Sequence, residues 1–495
     1  MSRIMLLLAI AGLAGCGLGE SAWAIAWQPY YIYSPVSAHA FFLALGFVAG
    51  MTWAASQALL WRRGFGFDSL DGLRAGAFSS LLLSVGFLWP LFIRFKLPAP
   101  HDLPLRNLQI VFVAQVLTTL SVGLLLLILA LSRSRELAQK SPAWTAIRLG
   151  ALAFCVYMAT GFWTASWNNT GDAPHYLMMA DSLAYDHDVE LSNNYKQGDQ
   201  REFYKGVLEP QGVGRIDGRQ ISNHLPGLPL LLAPAYFFGG WVGARMLLAL
   251  MAAVGSALFY LLSLRSGFRP RLALFGWALL AFSAAWWSHS QIAMVEMPGG
   301  LCFLVLLCVW KGILPRAMAP LGITLMALMS LRYVPAACAF AALDFWMLRK
   351  KGIARSLGAP FFLALAVAAI MVYNKVNLGD ARPLEVVDES RGWGVFIRPS
   401  LVPHYFSGLM IDQEYGWLPY SPVFALSFFG VWSLWRRDRG LAAQSVLPAL
   451  AYIGPIAAFP WWWSAMAPNR YLVCLTPFFA LWALEAWRAW GNRAA

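Results

Sequence analysis

Apolar residues run along the chain in stretches that are long enough to cross a lipid bilayer, and short polar breaks separate them. A window of about 19 residues, the usual width for detecting a membrane-spanning helix, predicts about fourteen such spans. We therefore predict an all-α polytopic membrane protein with both termini on the cytoplasmic side. The predicted spans lie near residues 4–27, 37–61, 73–93, 107–132, 149–167, 244–264, 272–292, 297–313, 317–331, 334–348, 358–374, 420–435, 443–459 and 471–487.

Two polar segments, residues 168–225 and 374–419, are much longer than the other connections and carry most of the acidic residues of the predicted outer side. A transporter of this size usually places its polar residues within the spans, near the middle of the bilayer. The long loops therefore indicate chemistry on the extracytoplasmic face. The first four spans contain almost no polar residues, so we predict that residues 1–140 form an accessory bundle and residues 141–490 the functional module.

The composition agrees with a membrane protein, and this class of protein gives the net positive charge a different explanation from nucleic-acid binding. The chain is 59% hydrophobic and 12% charged, whereas roughly a quarter of the residues in a soluble protein carry charge, which excludes a soluble enzyme. A net charge of +13 would suggest nucleic-acid binding in a soluble chain. Here Lys and Arg collect in predicted cytoplasmic segments such as Arg62–Arg63, Arg349–Lys351 and Arg436–Arg437, which is the positive-inside bias, so we expect no nucleic-acid partner.

The six cysteines all fall inside predicted spans, so they indicate neither a disulfide framework nor a zinc site. Cys16 follows Leu13, Ala14 and Gly15 after a short apolar run, which is the form of a bacterial lipoprotein cleavage site. The apolar run continues past Cys16 to Trp27 and is long enough to span, which favours a membrane helix and leaves lipidation as the alternative.

The first candidate site follows the fifth span. Residues Ala173–Tyr185 are predicted to be helical, and at three- and four-residue spacing Asp172, His175 and Tyr176 share one face of that helix. An Asp just before a Pro in the first turn is also a typical helix N-cap, so a capping role for Asp172 stays open. Its position at the membrane surface, one turn from a His and a Tyr, favours a functional role.

A second candidate is the apolar segment Ser222–Gly240, which is too short and too rich in proline for a regular span. We predict an interfacial or re-entrant segment that lines a cavity, with His224 at its mouth. The alternative for His224 is a hydrogen bond to backbone that Pro226 leaves unpaired.

Glu296 begins a predicted span, and Arg332 and Tyr333 lie in the hairpin between two unusually short spans. A carboxylate beside apolar helix is costly to desolvate and is therefore usually paired or functional. Arg332 could simply pair with Glu296 or with a lipid phosphate. The last candidates are in the second long loop and before the final span: His404, Asp412, Glu414, Arg470 and Tyr471.

Taken in order, these motifs resemble the GT-C superfamily of integral-membrane glycosyltransferases, in the branch related to protein O-mannosyltransferases and lipid A aminoarabinose transferases. The resemblance covers roughly residues 145–490 and depends more on order and topology than on any one motif. Its elements are the acid of GDAPHY at 171–176, NHLPGLPLLLAPAY at 223–236, the acid and proline at 296–298, the hairpin Arg332, GLMIDQEYG at 408–416 and the Arg-Tyr pair at 470–471.

The resemblance implies transfer of a sugar from a polyprenyl-phosphate donor to a lipid, glycan or protein acceptor, with inversion at the anomeric carbon. Asp172 matches the acid that acts as general base, Glu296 matches the second acid, and Arg332 and Arg470 match basic positions near the donor phosphate. It also implies the bacterial inner membrane, with the active site facing outward. The other residues assigned to substrate binding are His175, Tyr176, His224, Tyr333, His404, Asp412, Glu414 and Tyr471.

Two departures from the family pattern are visible. Many relatives have an acidic pair where this chain has Asp172 and Ala173, which leaves the use of a divalent cation such as Mg²⁺ or Mn²⁺ open, and the four N-terminal spans are additional. The main rival is a multi-span transporter or lipid flippase of glycolipid intermediates, which predicts charges midway along spans. A polymerase or ligase of polyprenyl-linked glycan and a non-catalytic assembly protein are further alternatives.

Overall fold

The computed structural model describes residues 141–164, 171–204, 206–214, 218–382, 399–412, 415–459 and 468–491. These residues form an α-helical protein whose one small sheet pairs two short strands, which agrees with the predicted all-α class. The four predicted N-terminal spans, and with them the accessory bundle of residues 1–140, lie outside the described residues. The total of about fourteen spans therefore remains a prediction.

The helices follow the predicted spans closely in the second half of the chain. Short 3₁₀ turns join several of them, at Asp199–Glu202, His289–Gln291, Leu331–Tyr333, Arg349–Lys351, Pro399–Leu401, Pro422–Ala425 and Arg470–Leu475. The helices are α1 Pro142–Thr164, α2 Ala173–Tyr185, α3 Ser192–Gln197, α4 Gly227–Arg265, α5 Pro270–Ala281, α6 Ala284–Ser288, α7 Glu296–Trp310, α8 Met318–Met329, α9 Val334–Leu348, α10 Ile353–Ser356, α11 Gly358–Leu378, α12 Val402–Ile411, α13 Leu426–Arg437, α14 Arg439–Ala457 and α15 Thr476–Gly491.

Five helical segments are long and apolar enough to cross a membrane, and a sixth qualifies if α5 and the following segment Ala284–Gln291, bent by 49°, form one broken span. Large apolar side chains on α4, α11 and α13 point away from the core and are exposed, including Phe238, Phe361, Val372, Phe429 and Trp432. Exposed apolar faces of this extent are unfavourable in water and typical of contact with lipid. The protein is therefore membrane-embedded.

Helix α4 is the centre of the fold. It consists of two helical parts that meet at a kink at Gly239 and Gly240, where the predicted segment Ser222–Gly240 ends, and that segment is helical from Gly227 onward. Its interfacial or re-entrant placement stays a prediction. Gly239 and Gly240 interrupt it with non-helical backbone, and Gly240 has φ +55° and ψ −153°, a conformation that favours glycine. Helices α1, α2, α5 and α7 pack around α4. Leu228, Leu232 and Tyr236 are buried in this packing.

Helices α7, α8 and α9 are short, with 15, 12 and 15 residues. Ion pairs lie at one end of this group, where Lys311 binds Asp438 at 2.8 Å and Arg316 binds Asp344 at 3.0 Å. A helix of 15 residues is about 22 Å long, less than the roughly 30 Å of hydrocarbon in a bilayer. Helix α7 is therefore shorter than the hydrocarbon layer, whereas α9 with its flanking turns forms the 21-residue segment Leu331–Lys351, which is long enough to cross it.

The described part of the first long loop folds onto the N-terminal half of α4. Strands β1 Gly212–Gly214 and β2 Gln220–Ser222 pair antiparallel, with Val213 opposite Ile221. The first ten residues of α2 are buried without interruption, and α2 packs along α4. Tyr236 of α4 donates a hydrogen bond to Glu202 at 2.8 Å, which ties the loop to the helix.

Candidate active site

Four of the predicted residues come together in one chain of alternating charges, which we call the charged cluster: Asp172, Arg470, Glu296 and Arg332. Arg470 Nη1 lies 2.7 Å from Asp172 Oδ2, and its Nε lies 3.7 Å from Glu296 Oε1. Arg332 Nη2 binds the same Glu296 oxygen at 2.7 Å. Residues separated by up to about 300 positions in sequence thus form a site with two acids and two cations.

Asp172 immediately precedes α2 but does not cap it. Its backbone is in the helical region, with φ −78° and ψ −15°, and its side chain makes no capping hydrogen bond, whereas a capping residue normally has extended backbone. Pro174 near the helix start supplies no N–H, so less capping is needed there. The alternative role of Asp172 as a helix cap is therefore wrong.

The charges around Asp172 keep it ionised. Burial by itself favours the protonated form, but the positive charge of Arg470, with smaller contributions from His224 and Arg332, holds the pKa of Asp172 well below its usual range. The carboxylate is therefore available as a hydrogen-bond acceptor over the whole physiological pH range. Its side chain is 22% exposed, compared with 1% for Glu296.

Glu296 is held at the start of α7 by packing that leaves little room for movement. Tyr333, in the turn between α8 and α9, donates a hydrogen bond from its hydroxyl to the carbonyl of Val295 at 3.0 Å. A Cβ on Gly299 would lie within 2.5 Å of the Tyr333 ring and hydroxyl, so glycine is required for this approach. Tyr333 is fully buried and therefore positions Glu296 and Arg332 by packing.

Tyr471 provides an aromatic surface beside both cations. The guanidinium of Arg332 lies 5.0 Å from the centre of the Tyr471 ring, and that of Arg470 lies 5.4 Å from it, which are cation–π distances. The side chain of Asn469 accepts a hydrogen bond from the Tyr471 backbone N–H at 3.2 Å and so orders the turn that begins with Arg470.

Each guanidinium of the charged cluster retains an unused donor. The Nε atoms of Arg332 and Arg470 are buried, and within the part of the chain that the structure describes neither has a hydrogen-bond partner. A buried donor without a partner is costly, typically by about 1–3 kcal/mol. Two arginines that share Glu296 and each retain such a donor favour the binding of an anion with several acceptor oxygens.

His175, Tyr176 and His224 form a wall of rings next to the charged cluster. The rings of Tyr176 and His224 stack with centroids 4.4 Å apart, and His175 Nδ1 shares a hydrogen bond of 3.0 Å with the Tyr195 hydroxyl. Burial and the nearby His224 lower the pKa of His175 to about 4, and burial raises the pKa of Tyr176. Both side chains are consequently neutral at pH 7.

The predicted residues of the second long loop have other surroundings. His404 is exposed on α12 beside Tyr405. Asp412 ends α12 and accepts a hydrogen bond from the backbone N–H of Tyr415 at 2.8 Å, which closes a turn. Glu414 lies outside the described residues. The substrate-binding role of these three residues stays a prediction.

Some residues near the cluster carried no signal in the sequence. Tyr452 stacks on Tyr333 with centroids 5.1 Å apart, and Met294 accepts a weak hydrogen bond from Arg470 at 3.6 Å. His289 is buried in a predicted span, with Nδ1 3.0 Å from the carbonyl of Ala285. Each lies in an apolar stretch typical of a span, and only the folded arrangement shows its surroundings.

Both acids that could hold a divalent cation are bound to arginine in this structure. Among the described residues, no three His, Cys, Asp or Glu side chains form a group that could hold a metal ion. The use of Mg²⁺ or Mn²⁺ stays an open prediction.

Comparisons with protein families, with curated proteins and with solved structures found no match for this chain.

Proposed function

We propose that the protein is a glycosyltransferase that uses a polyprenyl-phosphate sugar on the extracytoplasmic face of the membrane, and that the charged cluster is its active site. One observation carries this proposal. Two arginines, each with a spare buried donor, stand on either side of a buried Glu296, and the more exposed Asp172 adjoins them. Groups that can bind a phosphate, the two arginines, therefore adjoin a carboxylate that can accept a proton.

The reaction needs a base and a stabilised leaving group. The acceptor oxygen attacks the anomeric carbon while its proton passes to the Asp172 carboxylate. The bond between the anomeric carbon and the phosphate oxygen breaks, and its electron pair stays with the polyprenyl phosphate. Positioned general-base catalysis contributes about 10²- to 10⁴-fold in rate. Stabilisation of the developing phosphate charge by Arg332 and Arg470 is commonly a larger contribution.

The depth of the cluster supports a lipid-linked substrate. Glu296 begins α7, and Lys311 follows its end, where the ion pairs of the opposite side lie. Because α7 is about 22 Å long, Glu296 at its start would lie below the surface of a bilayer whose other face is at Lys311. Arg332 lies at the start of the 21-residue segment Leu331–Lys351, which is long enough to reach that surface. Ionisable groups at such a depth are costly and are usually functional. A phosphate attached to a prenyl chain can reach this depth from the bilayer.

A lipid flippase or transporter is the second candidate, and one observation favours it. Arg245 is buried within α4, where it donates a hydrogen bond to Gln291 at 2.9 Å. A cation inside a span is typical of a transport pathway. Arg245 follows the break at Gly239–Gly240 by five residues, however, which places it near the start of the second part of α4 and not at its middle.

The proposal is tested by a transfer assay in proteoliposomes. Radiolabelled polyprenyl-phosphate sugars of several kinds are offered, together with membrane extract as a source of acceptor, to the wild type and to Asp172→Asn. Asp380→Asn is the matched control, because Asp380 is an exposed acid that pairs locally with Arg382 at 2.8 Å.

We expect label to leave the carrier with the wild type and with Asp380→Asn, and at least 100-fold more slowly with Asp172→Asn. Equal transfer by all three proteins would remove Asp172 from the mechanism. If the wild type moves the polyprenyl-phosphate sugar between leaflets without removing the sugar, the result would support the flippase.

A further inference from the structure

Arg470 lies between two alternative partners. It binds Asp172 at 2.7 Å, and its Nε lies 3.7 Å from Glu296 Oε1, just beyond hydrogen-bond distance. Glu296 also binds Arg332 and is almost completely buried. A small movement of the Arg470 guanidinium would break its contact with Asp172 and strengthen its contact with Glu296. Glu296 would remain buried and paired during this movement.

In the structure, the pairing with Arg470 makes Asp172 a poor proton acceptor. A carboxylate bound to a guanidinium has its basic lone pairs occupied and its negative charge neutralised. Among the described residues, no capping hydrogen bond holds the Asp172 side chain to α2, and the ion pair with Arg470 constrains it. A base suited to general-base catalysis at neutral pH needs a higher affinity for protons than this arrangement allows.

A phosphate competes directly for Arg470. It is an anion with several acceptor oxygens, and each of the two arginines has a buried Nε without a hydrogen-bond partner among the described residues. An Arg–phosphate contact is frequently bidentate, and one that uses the two terminal nitrogens of Arg470 takes the Nη1 that now binds Asp172. The phosphate oxygens then replace the Asp172 carboxylate as acceptors, which offsets the cost of leaving it.

This inference rests on the proposed function. We propose that Arg470 is a positioning residue that couples the two substrates. The phosphate of the lipid donor draws the Arg470 guanidinium away from Asp172, so that Asp172 accepts a proton only when the donor is bound. The enzyme is then built to bind its lipid donor before it activates the acceptor hydroxyl.

Other charged and titratable groups around Asp172 do not replace Arg470 in this role. Arg332 is bound to Glu296, and His175 is neutral at physiological pH because its pKa is lowered to about 4. The negative charge of the bound phosphate raises the pKa of Asp172, and the loss of the contact with Arg470 raises it as well. The groups that face Asp172 are Arg470, His224, Arg332, His175, Tyr176 and Glu296.

The test measures protonation of Asp172 without any sugar transfer. Purified protein in nanodiscs is titrated between pH 3 and pH 6 by infrared spectroscopy, with and without synthetic polyprenyl phosphate, and the spectrum of Asp172→Asn is subtracted to isolate the Asp172 carboxyl band. Binding of the lipid is measured separately by its retention on the protein. Arg470→Gln is included to separate the effect of the switch from the direct effect of the phosphate charge.

We expect bound polyprenyl phosphate to raise the pKa of Asp172 in the wild type towards the ordinary value of about 3.9 or above. In Arg470→Gln the pKa should already be high without lipid, and the lipid should raise it less. Retained lipid with an unchanged wild-type pKa would overturn the coupling and leave the donor site intact. Failure of the wild type to bind the lipid would overturn both the coupling and the proposed function. If bound lipid raises the pKa of Asp172 in folded Arg470→Gln as much as in the wild type, the coupling is also overturned, because the phosphate would then act without Arg470.

Discussion

At the scale of single residues, the charged cluster depends on two shared contacts: Arg470 lies between Asp172 and Glu296, and Arg332 binds Glu296 as well. The position of each acid at the end of an apolar stretch predicts a functional carboxylate, and the family resemblance predicts cations at Arg332 and Arg470. Pairing of Arg332 with Glu296 was one alternative, and the structure contains it. The bond between Arg470 and Asp172 was not predicted, because nothing in the sequence indicates the distance between two residues almost 300 positions apart.

A second group of acids, on the first long loop, provides a test of electrostatics that does not depend on the proposed activity. Asn194 directs its side-chain amide nitrogen at three carboxylates, those of Asp181, Asp186 and Asp199, at 3.3, 2.9 and 3.0 Å. Burial and the neighbouring Asp199 raise the pKa of Asp181 to about 6. The folded state therefore binds a proton on Asp181 more tightly than the unfolded state does.

The stability contributed by that proton is present at low pH and is lost as pH rises from about 4 to about 6. Asp181→Asn keeps an acceptor oxygen for Asn194 and removes the charge. We expect it to increase the free energy of unfolding at pH 7.5 by about 1–2 kcal/mol, since one pKa unit corresponds to about 1.4 kcal/mol. At pH 4 the two proteins should have nearly equal stability.

Thermal unfolding in detergent at the two pH values measures this difference. Glu209→Gln is the control, because Glu209 is an exposed acid of the same loop. An equal effect of Asp181→Asn at both pH values would show that the charge of Asp181 is not the cause.

At the scale of elements, apolar stretches predicted the later helices well. The helices Ala173–Tyr185 and Val334–Leu348 have the predicted bounds. Local signals mark both ends of such a helix: a proline near its first residue, and the point where the apolar periodicity stops. The predicted end of the segment Ser222–Gly240 agrees with the kink at Gly239 and Gly240. The close approach of Gly227 to the backbone of Leu328 is a contact that a local pattern cannot show.

The break in α4 requires glycine at only one of its two positions. Gly240 has a positive φ, and a Cβ there would contact the Glu202 carboxylate, whereas Gly239 has a negative φ and open space around it. We expect Gly240→Ala to destabilise the protein by about 1–3 kcal/mol, and Gly239→Ala to have little effect.

Thermal unfolding of the two variants in the same detergent provides the comparison. Because Glu202 holds Tyr236 of α4, limited proteolysis should also cut the first long loop faster in Gly240→Ala than in the wild type. Equal stability of the two alanine variants would mean that the break is not a constraint of the fold.

At the scale of the whole molecule, charge is distributed in two layers. The charged cluster lies at one end of α7, and the ion pairs of Lys311 with Asp438 and of Arg316 with Asp344 lie at the other. The opposite end also has buried donors without a hydrogen-bond partner among the described residues, Nε and Nη2 of Arg437, although that Nε lies 2.9 Å from Glu485. The charged cluster combines its spare donors with the partly exposed Asp172, and we place the lipid phosphate there for that reason.

The most direct test of this placement is photolabelling with a polyprenyl phosphate that carries a photoreactive group next to the phosphate, since it needs no knowledge of the sugar. Labelled peptides are identified by mass spectrometry in the wild type and in Arg332→Lys, which keeps the charge but loses the planar group that binds phosphate through two nitrogens. We expect label on peptides that contain Met294, Arg332 or Arg470, competition by unlabelled polyprenyl phosphate, and weaker label in Arg332→Lys. Label concentrated around Arg316 and Asp344, unaffected by Arg332→Lys, would contradict the proposed site.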